Sequence, residues 1–223
     1  MRGAVVIPAY NEEATIALVI AEVRRIAPEL AIIVVNDCST DATSTTLREC
    51  GVVAINLAVN LGAWGATQAG LRYAGSLGYD FVVTMDADGQ HLPATLPALI
   101  KRFKEHPEAV IIGECVSRGS GYRRLAWRYF RTITGLSVQD LTSGLRVYGR
   151  AAIERLSGAE ATMIEYQDVG VLLLLRKHGF PIHEVSIEMQ DRAVGSSHVF
   201  RTWVSVFYYM VYTSIMSIAK LSR

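Results

Sequence analysis

At 223 residues, with 51% apolar residues and a formal net charge of +1, the chain is long enough for one well-buried domain, and that balance excludes both a disordered segment and a nucleic-acid binder. Its three cysteines, Cys38, Cys50 and Cys115, lack paired or metal-type spacing. They read as reduced thiols rather than a disulfide framework or a zinc site. The first apolar run begins at Ala4 with no signal-peptide pattern before it, so a protein on the cytosolic side is expected.

The first two-thirds alternates strand and helix patterns, which predicts an α/β fold with a mostly parallel sheet flanked by helices. Ala4 to Ile7 is the first strand, broken by Pro8, and Ile16, Val19, Ile20 and Val23 recur at helical spacing behind it. Asn11 is a plausible cap for that helix, with Glu12 and Glu13 in its first turn. Ala31 to Val35 is a second buried strand, ending at Asn36-Asp37-Cys38-Ser39-Thr40-Asp41, where Ser39 or Thr40 can cap the next helix. Val52 to Leu57 is a third, emptying into Asn60-Leu61-Gly62-Ala63-Trp64-Gly65 and a helix to about Ala74. The fourth starts at Phe81, and Pro93 opens a helix carrying Leu96, Leu99, Ile100 and Phe103. Further on, Tyr122 to Thr134 and the stretch around Val171 to Leu175 read as helices, and Val185, Ile187 and Met189 alternate with Glu184, Ser186 and Glu188 as a half-buried edge strand.

The stretch Phe81-Val82-Val83-Thr84-Met85-Asp86-Ala87-Asp88-Gly89-Gln90-His91 carries the chemistry. An apolar run closed by Asp and Gly is a buried strand entering a tight turn. From that turn Asp86 and Asp88 can aim at one point while Gln90 adds a neutral oxygen, a hard-oxygen set suited to Mg²⁺ or Mn²⁺ on a substrate's phosphates. Asp-x-Asp also arises by chance in polar loops, so context decides. Every strand delivers its polar residues at its C-terminal end, the ligand-binding edge of open α/β sheets. Asp37 is either a turn aspartate or an acceptor for a nucleobase N–H. Gly62 and Gly65 do not complete Gly-x-Gly-x-x-Gly, which argues against a nicotinamide dehydrogenase. A phosphatase with Asp86 as nucleophile fails because Gln90 stands where such enzymes need Thr.

Five motifs in order, Val6-Ile7-Pro8-Ala9-Tyr10-Asn11-Glu12-Glu13, Val35-Asn36-Asp37-Cys38-Ser39-Thr40-Asp41, Asn60-Leu61-Gly62, Met85-Asp86-Ala87-Asp88-Gly89-Gln90-His91 and Asp140-Leu141-Thr142-Ser143-Gly144-Leu145-Arg146, resemble family 2 glycosyltransferases of the GT-A fold. Within these the dolichol-phosphate mannosyltransferase group is the nearest likeness. The resemblance implies a Rossmann-like catalytic domain over residues 1–198 and an inverting hexosyltransferase. It would move one sugar from a GDP- or UDP-linked donor to a polyprenyl phosphate at the cytosolic membrane face. The alternative is a transferase acting on a glycan hydroxyl.

By the same resemblance, Pro8, Ala9, Tyr10, Glu12, Val35 and Asp37, with Asn60 and Gly62, match the donor's base and ribose pocket. Asp86, Ala87, Asp88 and Gln90 match the segment gripping the diphosphate through a divalent cation, Mg²⁺ or Mn²⁺. Arg118 falls near an arginine that follows the family's fifth strand, in an altered context, and Arg192 matches an arginine that contacts phosphate. His198 stands where a lysine is usual, replacing a fixed charge by a group mostly neutral at pH 7.

A cation held by Asp86 and Asp88 would stabilise charge developing on the departing phosphate. A phosphate acceptor is already anionic and calls for positive groups, with Arg118, Arg128, Arg131 and Arg192 as candidates. A hydroxyl acceptor would need a general base, for which Asp140, Glu165 and Asp168 are candidates. From Thr202 to Ala219 there is no charged residue, and Trp203, Phe207, Tyr208, Tyr209 and Tyr212 crowd the segment. Residues 199–223 are therefore expected to form an amphipathic segment lying in the membrane interface, with Arg201, Lys220 and Arg223 meeting anionic lipid. Packing on the domain, on a second copy of the chain or on a small membrane partner protein is the alternative.

Overall fold

The computed structural model describes residues 1–115, 121–164, 168–190, 211, 212 and 214. Seven strands, β1 (Gly3–Ala9), β2 (Ala31–Asn36), β3 (Val53–Asn56), β4 (Phe81–Thr84), β5 (Val110–Glu114), β6 (Arg146–Gly149) and β7 (Ile182–Ser186), form one sheet in the order β3-β2-β1-β4-β6-β5-β7. Neighbours pair in parallel except β6, which runs antiparallel to both β4 and β5. The mixed, mostly parallel sheet agrees with the expected fold class. The chain winds outward from β1 to β2 and β3, then returns to lay β4 on β1's other side. The C-terminal ends of β1 and β4 therefore flank the point where the strand order reverses, the place where such sheets hold ligands.

Helices cover both faces, so the central strands are apolar throughout rather than alternating. Ala4 and Val6 of β1 point into one core, with α3 (Gly62–Ser76), α6 (Arg150–Leu156) and α8 (Val169–Lys177). Val5, Ile7 and Ala9 point into the other, with α1 (Ile16–Ile26), α2 (Thr43–Cys50) and α4 (Leu96–Glu105). Helix α5 (Gly121–Thr134) packs Trp127 and Phe130 into the first core, and the short α7 (Ala159–Thr162) adds Ala161.

Several local expectations are corrected. Strand β1 runs through Pro8, which pairs in register with Val35. Val6 accepts a hydrogen bond from Met85 N, so by the two-residue alternation Pro8 faces β4's side, beyond the last β1–β4 pair at Val6 and Thr84. The missing N–H costs no ladder bond there. Asn11 does not cap α1, which begins five residues later with Thr15 at its N-cap and no acidic residue in its first turn. Ser39 and Thr40 do not cap α2 either: Ala42 holds the N-cap, and Asp41 Oδ1 accepts from Thr43 N at 2.9 Å. Asn11, Ser39 and Thr40 instead bond across the loops after β1 and β2. The edge strand β7 exists but ends at Ser186, and past it Ile187 N donates to Glu114 O at 2.9 Å.

Gly70 lets α3 lie directly on the sheet, since a Cβ there would stand 2.3 Å from Val6 Cγ1 and 3.1 Å from Val35 Cγ2. Replacing a helical glycine by alanine gains about 1 kcal/mol of propensity, whereas overpacking two β-branched core residues costs about 1–3 kcal/mol. The clash should win. Gly70→Ala is expected to lower unfolding stability by roughly 1–2 kcal/mol in urea with an unchanged slope; a variant as stable as the parent would show that α3 can shift without cost.

Candidate active site

The turn after β4 is built as its residues dictate. Asp88 Oδ1 accepts from Gln90 N at 3.0 Å, closing an Asx turn, and Gly89 takes the left-handed φ of 75° that the bend requires. The two carboxylates differ in exposure: the Asp86 side chain is 38% exposed, whereas Asp88 is 5% exposed. Beneath them His91 is buried, its Nδ1 3.4 Å from Asp86 N, a long hydrogen bond with the ring nitrogen as acceptor, and 3.5 Å from Asp86 Oδ2. Beside them Gly144 approaches so closely that a Cβ would stand 2.6 Å from both Asp86 oxygens.

Among the described residues no three His, Cys, Asp or Glu side chains converge as a closed metal cage. The turn instead presents two carboxylates and the amide of Gln90, with room beside Asp86 that only glycine leaves. That donor set fits a Mg²⁺ or Mn²⁺ ion taking its other oxygens from a diphosphate and water.

The loops after β1 and β2 are stitched together by side chain to main chain bonds. Asn11, at φ 56°, accepts from Thr40 N at 2.8 Å through Oδ1, and its own N–H donates to Ser39 Oγ at 3.0 Å. Glu12 N donates to Thr43 Oγ1 at 2.9 Å, and Ala42 N to Glu13 Oε2 at 2.7 Å. Tyr10 stays 36% exposed at this rim, Pro8 and Glu12 are half-buried and Ala9 is buried.

Asp37 is buried, with Oδ1 accepting from Leu61 N at 2.7 Å. Burial raises its pKa, and the amides of Leu61 and Gly62 oppose the rise. Asn60 Nδ2 donates to Asp37 O at 3.1 Å, and Gly62 adopts φ 77°. So Asp37 holds the start of α3 with one carboxylate oxygen, whatever it does with the other. Pro8, Tyr10, Glu12, Asp37, Asn60 and Gly62 thus share one sheet edge with Asp86, Ala87, Asp88 and Gln90. Val35 is the exception: it is fully buried against Gly70 beneath α3, a core residue of β2 rather than a pocket wall.

One expected acid–base candidate, Asp140, proves to be enclosed. Asp140 is 0% exposed and accepts from Thr142 N and Thr142 Oγ1, both at 3.0 Å, and from Cys115 N at 3.4 Å. A carboxylate so enclosed holds the 140–144 loop and meets no substrate hydroxyl. Asp168 occupies the N-cap position of α8, its carbonyl accepting from Leu172 N. Arg118, Glu165, Arg192 and His198 lie outside the described residues. The chain leading to Arg192 does reach the turn, for His91 bridges Met189 and Gln190 N donates to Gln90 O at 3.0 Å.

The sequence reading passed over His91, Gly144, Arg146 and Glu184 as site residues. The first three sit inside the quoted motifs, which was the available signal; Glu184 looked like an ordinary solvent-side position of an edge strand. Fully buried Arg146 donates through Nε to Ser143 O at 2.9 Å and through a terminal nitrogen to Leu141 O at 3.1 Å. Glu184 Oε1 accepts from Gln139 N at 2.8 Å and Asp140 N at 3.1 Å.

A family model described as Glycosyl transferase family 2 matches residues 4–157. The chain belongs to glycosyl transferase family 2. Polyprenol monophosphomannose synthase of Mycolicibacterium smegmatis is 29% identical over 214 residues, covering 88% of this chain and 80% of the relative. Undecaprenyl-phosphate mannosyltransferase of Micrococcus luteus is 30% identical over 212 residues, covering 88% and 87%. Glucosyl-3-phosphoglycerate synthase from Mycobacterium tuberculosis, solved with Mn²⁺, UDP and phosphoglyceric acid, shares the fold with TM-score 0.75 at 20% identity, covering 98% of this chain and 78% of that one. This family 2 glycosyltransferase therefore has the GT-A fold its motifs suggested.

In this glycosyltransferase the Glu184 carboxyl is pushed above the ordinary carboxylate range, first by burial; the amides of Asp140 and Gln139 oppose the rise, and the Glu114 and Asp140 carboxylates add to it. A raised folded pKa means the folded state binds a proton the unfolded chain has released. Stability from this group is therefore present at low pH and lost as pH climbs from about 4 through the raised value. Glu184→Gln keeps an acceptor for both amides without the charge, so its stability relative to the parent should grow with pH across that window in urea unfolding at pH 4 to 8. A relative loss on raising the pH would reverse the assignment.

Proposed function

We propose that this glycosyltransferase moves one hexose from a GDP- or UDP-linked donor to the phosphate of a polyprenyl lipid at the cytosolic membrane face, with inversion at the anomeric carbon. The observation that carries it is the pairing of Asp86 and Asp88 in one turn, at the strand-order reversal, on the same edge as the Tyr10 and Asp37 loops. The acceptor class is supported by the named activities of the two bacterial relatives, and the donor site and divalent cation by the UDP and Mn²⁺ held in the structurally similar synthase.

Asp86, Asp88 and Gln90 would hold Mg²⁺ or Mn²⁺, which supplies positive charge against the departing diphosphate. Tyr10, Glu12 and Asp37 place the nucleoside. An acceptor phosphate oxygen attacks the anomeric carbon from the face opposite the diphosphate; as the new C–O bond forms, the bond to the leaving oxygen breaks and its electron pair departs with the nucleoside diphosphate. The attacking oxygen is already anionic. Enclosure of Asp140 favours this reading over a glycan hydroxyl acceptor, which would need a base. Arg128 and Arg131 on α5, with Arg118 and Arg192, are the cations assigned to the lipid phosphate.

Residues 1–198 are assigned to catalysis and 199–223 to the membrane surface. Among the described residues no helix is long and apolar enough to cross a membrane. Val211, Tyr212 and Ser214 are helical, and Ser214 Oγ lies 3.3 Å from Tyr129 Oη of α5. Ser214 thus lies beside the helix that carries Arg128 and Arg131.

Asp88→Asn keeps shape and removes charge, so transfer to a polyprenyl phosphate should fall at least about a hundredfold; turnover surviving both this change and excess chelator would refute the metal role. Ending the chain after His198 should release it from anionic liposomes and abolish transfer to a long-chain acceptor while donor binding persists. A shortened protein that still sediments with liposomes, or a full-length one needing a partner protein to do so, would place the membrane contact elsewhere.

A further inference from the structure

We propose that His91 and Gly144 are positioning residues that together seat the Asp86 carboxylate; this rests on the reading of Asp86 as a ligand of the donor's divalent cation. Asp86 lies just past the last rung of β4, with its side chain 38% exposed. Neither strand pairing nor burial holds its rotamer, yet Mg²⁺ and its analogues demand near-ideal octahedral placement of each oxygen. Something else must hold the carboxylate.

Gly144 bounds it on one side. The antiparallel register of β4 and β6 ends at Thr84 opposite Arg146, and carried two residues further it sets Asp86 across from Gly144. The Asp86 Oδ atoms stand 2.6 Å, and Cγ 2.9 Å, from where a Cβ of residue 144 would be. Gly144 is not among the glycines with positive φ, so its backbone does not require glycine. The carboxylate does. The wall is also rigid: Thr84 Oγ1 donates to Gly144 O at 2.8 Å, and buried Arg146 holds Ser143 O and Leu141 O.

His91 bounds it from behind. Nδ1 accepts from Asp86 N at 3.4 Å and stands 3.5 Å from Oδ2, so the ring fixes the main chain from which the carboxylate projects and fills the space behind it. The ring's own place is set by burial and by the His91 to Met189 bridge. Such outer partners of a ligand typically tune metal affinity by about 10–100-fold.

The test uses the full chain with Asp86→Asn, Gly144→Ala, His91→Phe and His91→Asn, each titrated calorimetrically with UDP and with GDP, in Mn²⁺ and in EDTA, beside a thermal melt by circular dichroism. Gly144→Ala and His91→Phe should lose at least about tenfold of the Mn²⁺-dependent gain in nucleotide affinity, with affinity in EDTA unchanged. His91→Asn, whose Oδ1 can accept the Asp86 N–H, should keep most of it. A Gly144→Ala protein with the parent's Mn²⁺ gain, or His91→Asn as impaired as His91→Phe, overturns the seat. If Gly144→Ala does not fold, the two His91 variants decide. A parent without a Mn²⁺ gain for either nucleotide, or Asp86→Asn retaining it, instead overturns the ligand reading on which the seat rests.

Discussion

The hydrogen bond from Met85 N to Val6 O is the last link between the two strands at the centre of the sheet, and the site depends on the ladder stopping there. One residue later the chain must leave the sheet, so Asp86 and Asp88 emerge into a crevice instead of a ladder. On the facing side β1 continues to Ala9 with a proline whose missing N–H falls where no strand remains to receive it. The loops after β1, β2 and β4 therefore open onto one edge of the sheet. That is a topological consequence of laying β4 on the opposite side of β1 from β2, and it needs no special side chains.

On this edge, four carboxylates of identical chemistry are sorted by their surroundings. Asp140 and Glu184 face inward, where backbone amides satisfy them. They organise the 139–142 loop. On the turn after β4, Asp86 keeps a partly exposed side chain, while Asp88 is buried and closes the turn by accepting from Gln90 N. Arg146 belongs to the inward group despite its charge: a wholly buried guanidinium is tolerated because main-chain carbonyls accept hydrogen bonds from its N–H groups, and removing such partners would leave a desolvated charge. Its fork holds the strand entry at Ser143 and Leu141 that brings Gly144 to Asp86.

A division of labour follows along the chain. The proposed donor side comes from loops close in sequence, between Pro8 and Gln90, and is stiffened by bonds such as Asn11 to Thr40 that span the first two crossovers. The proposed acceptor side comes from segments after β5 and β7, with Gln190 N to Gln90 O as the described link between the halves. Sugar transfer requires both substrates in one place, and this link sets Gln190 beside the turn that holds Asp86 and Asp88.

Periodicity and motif order by themselves determined the α/β class, the strand cores, the Asp86 to Gln90 turn and the family, because buried parallel strands are written as apolar runs and a tight turn as Asp and Gly. Tertiary structure decided what those patterns cannot encode. Asn11, Ser39 and Thr40 carry cap chemistry, yet their bonds go to each other's loops, since which loops meet depends on parallel pairing of β1 with β2. Asp140 and Asp86 look alike as letters and diverge by burial alone. Gly144 reads as a loop glycine, and only the β4–β6 register, joining residues about sixty positions apart, turns its missing side chain into space for a carboxylate. Long-range register and burial are properties of the packed sheet, which is why no local pattern foretold them.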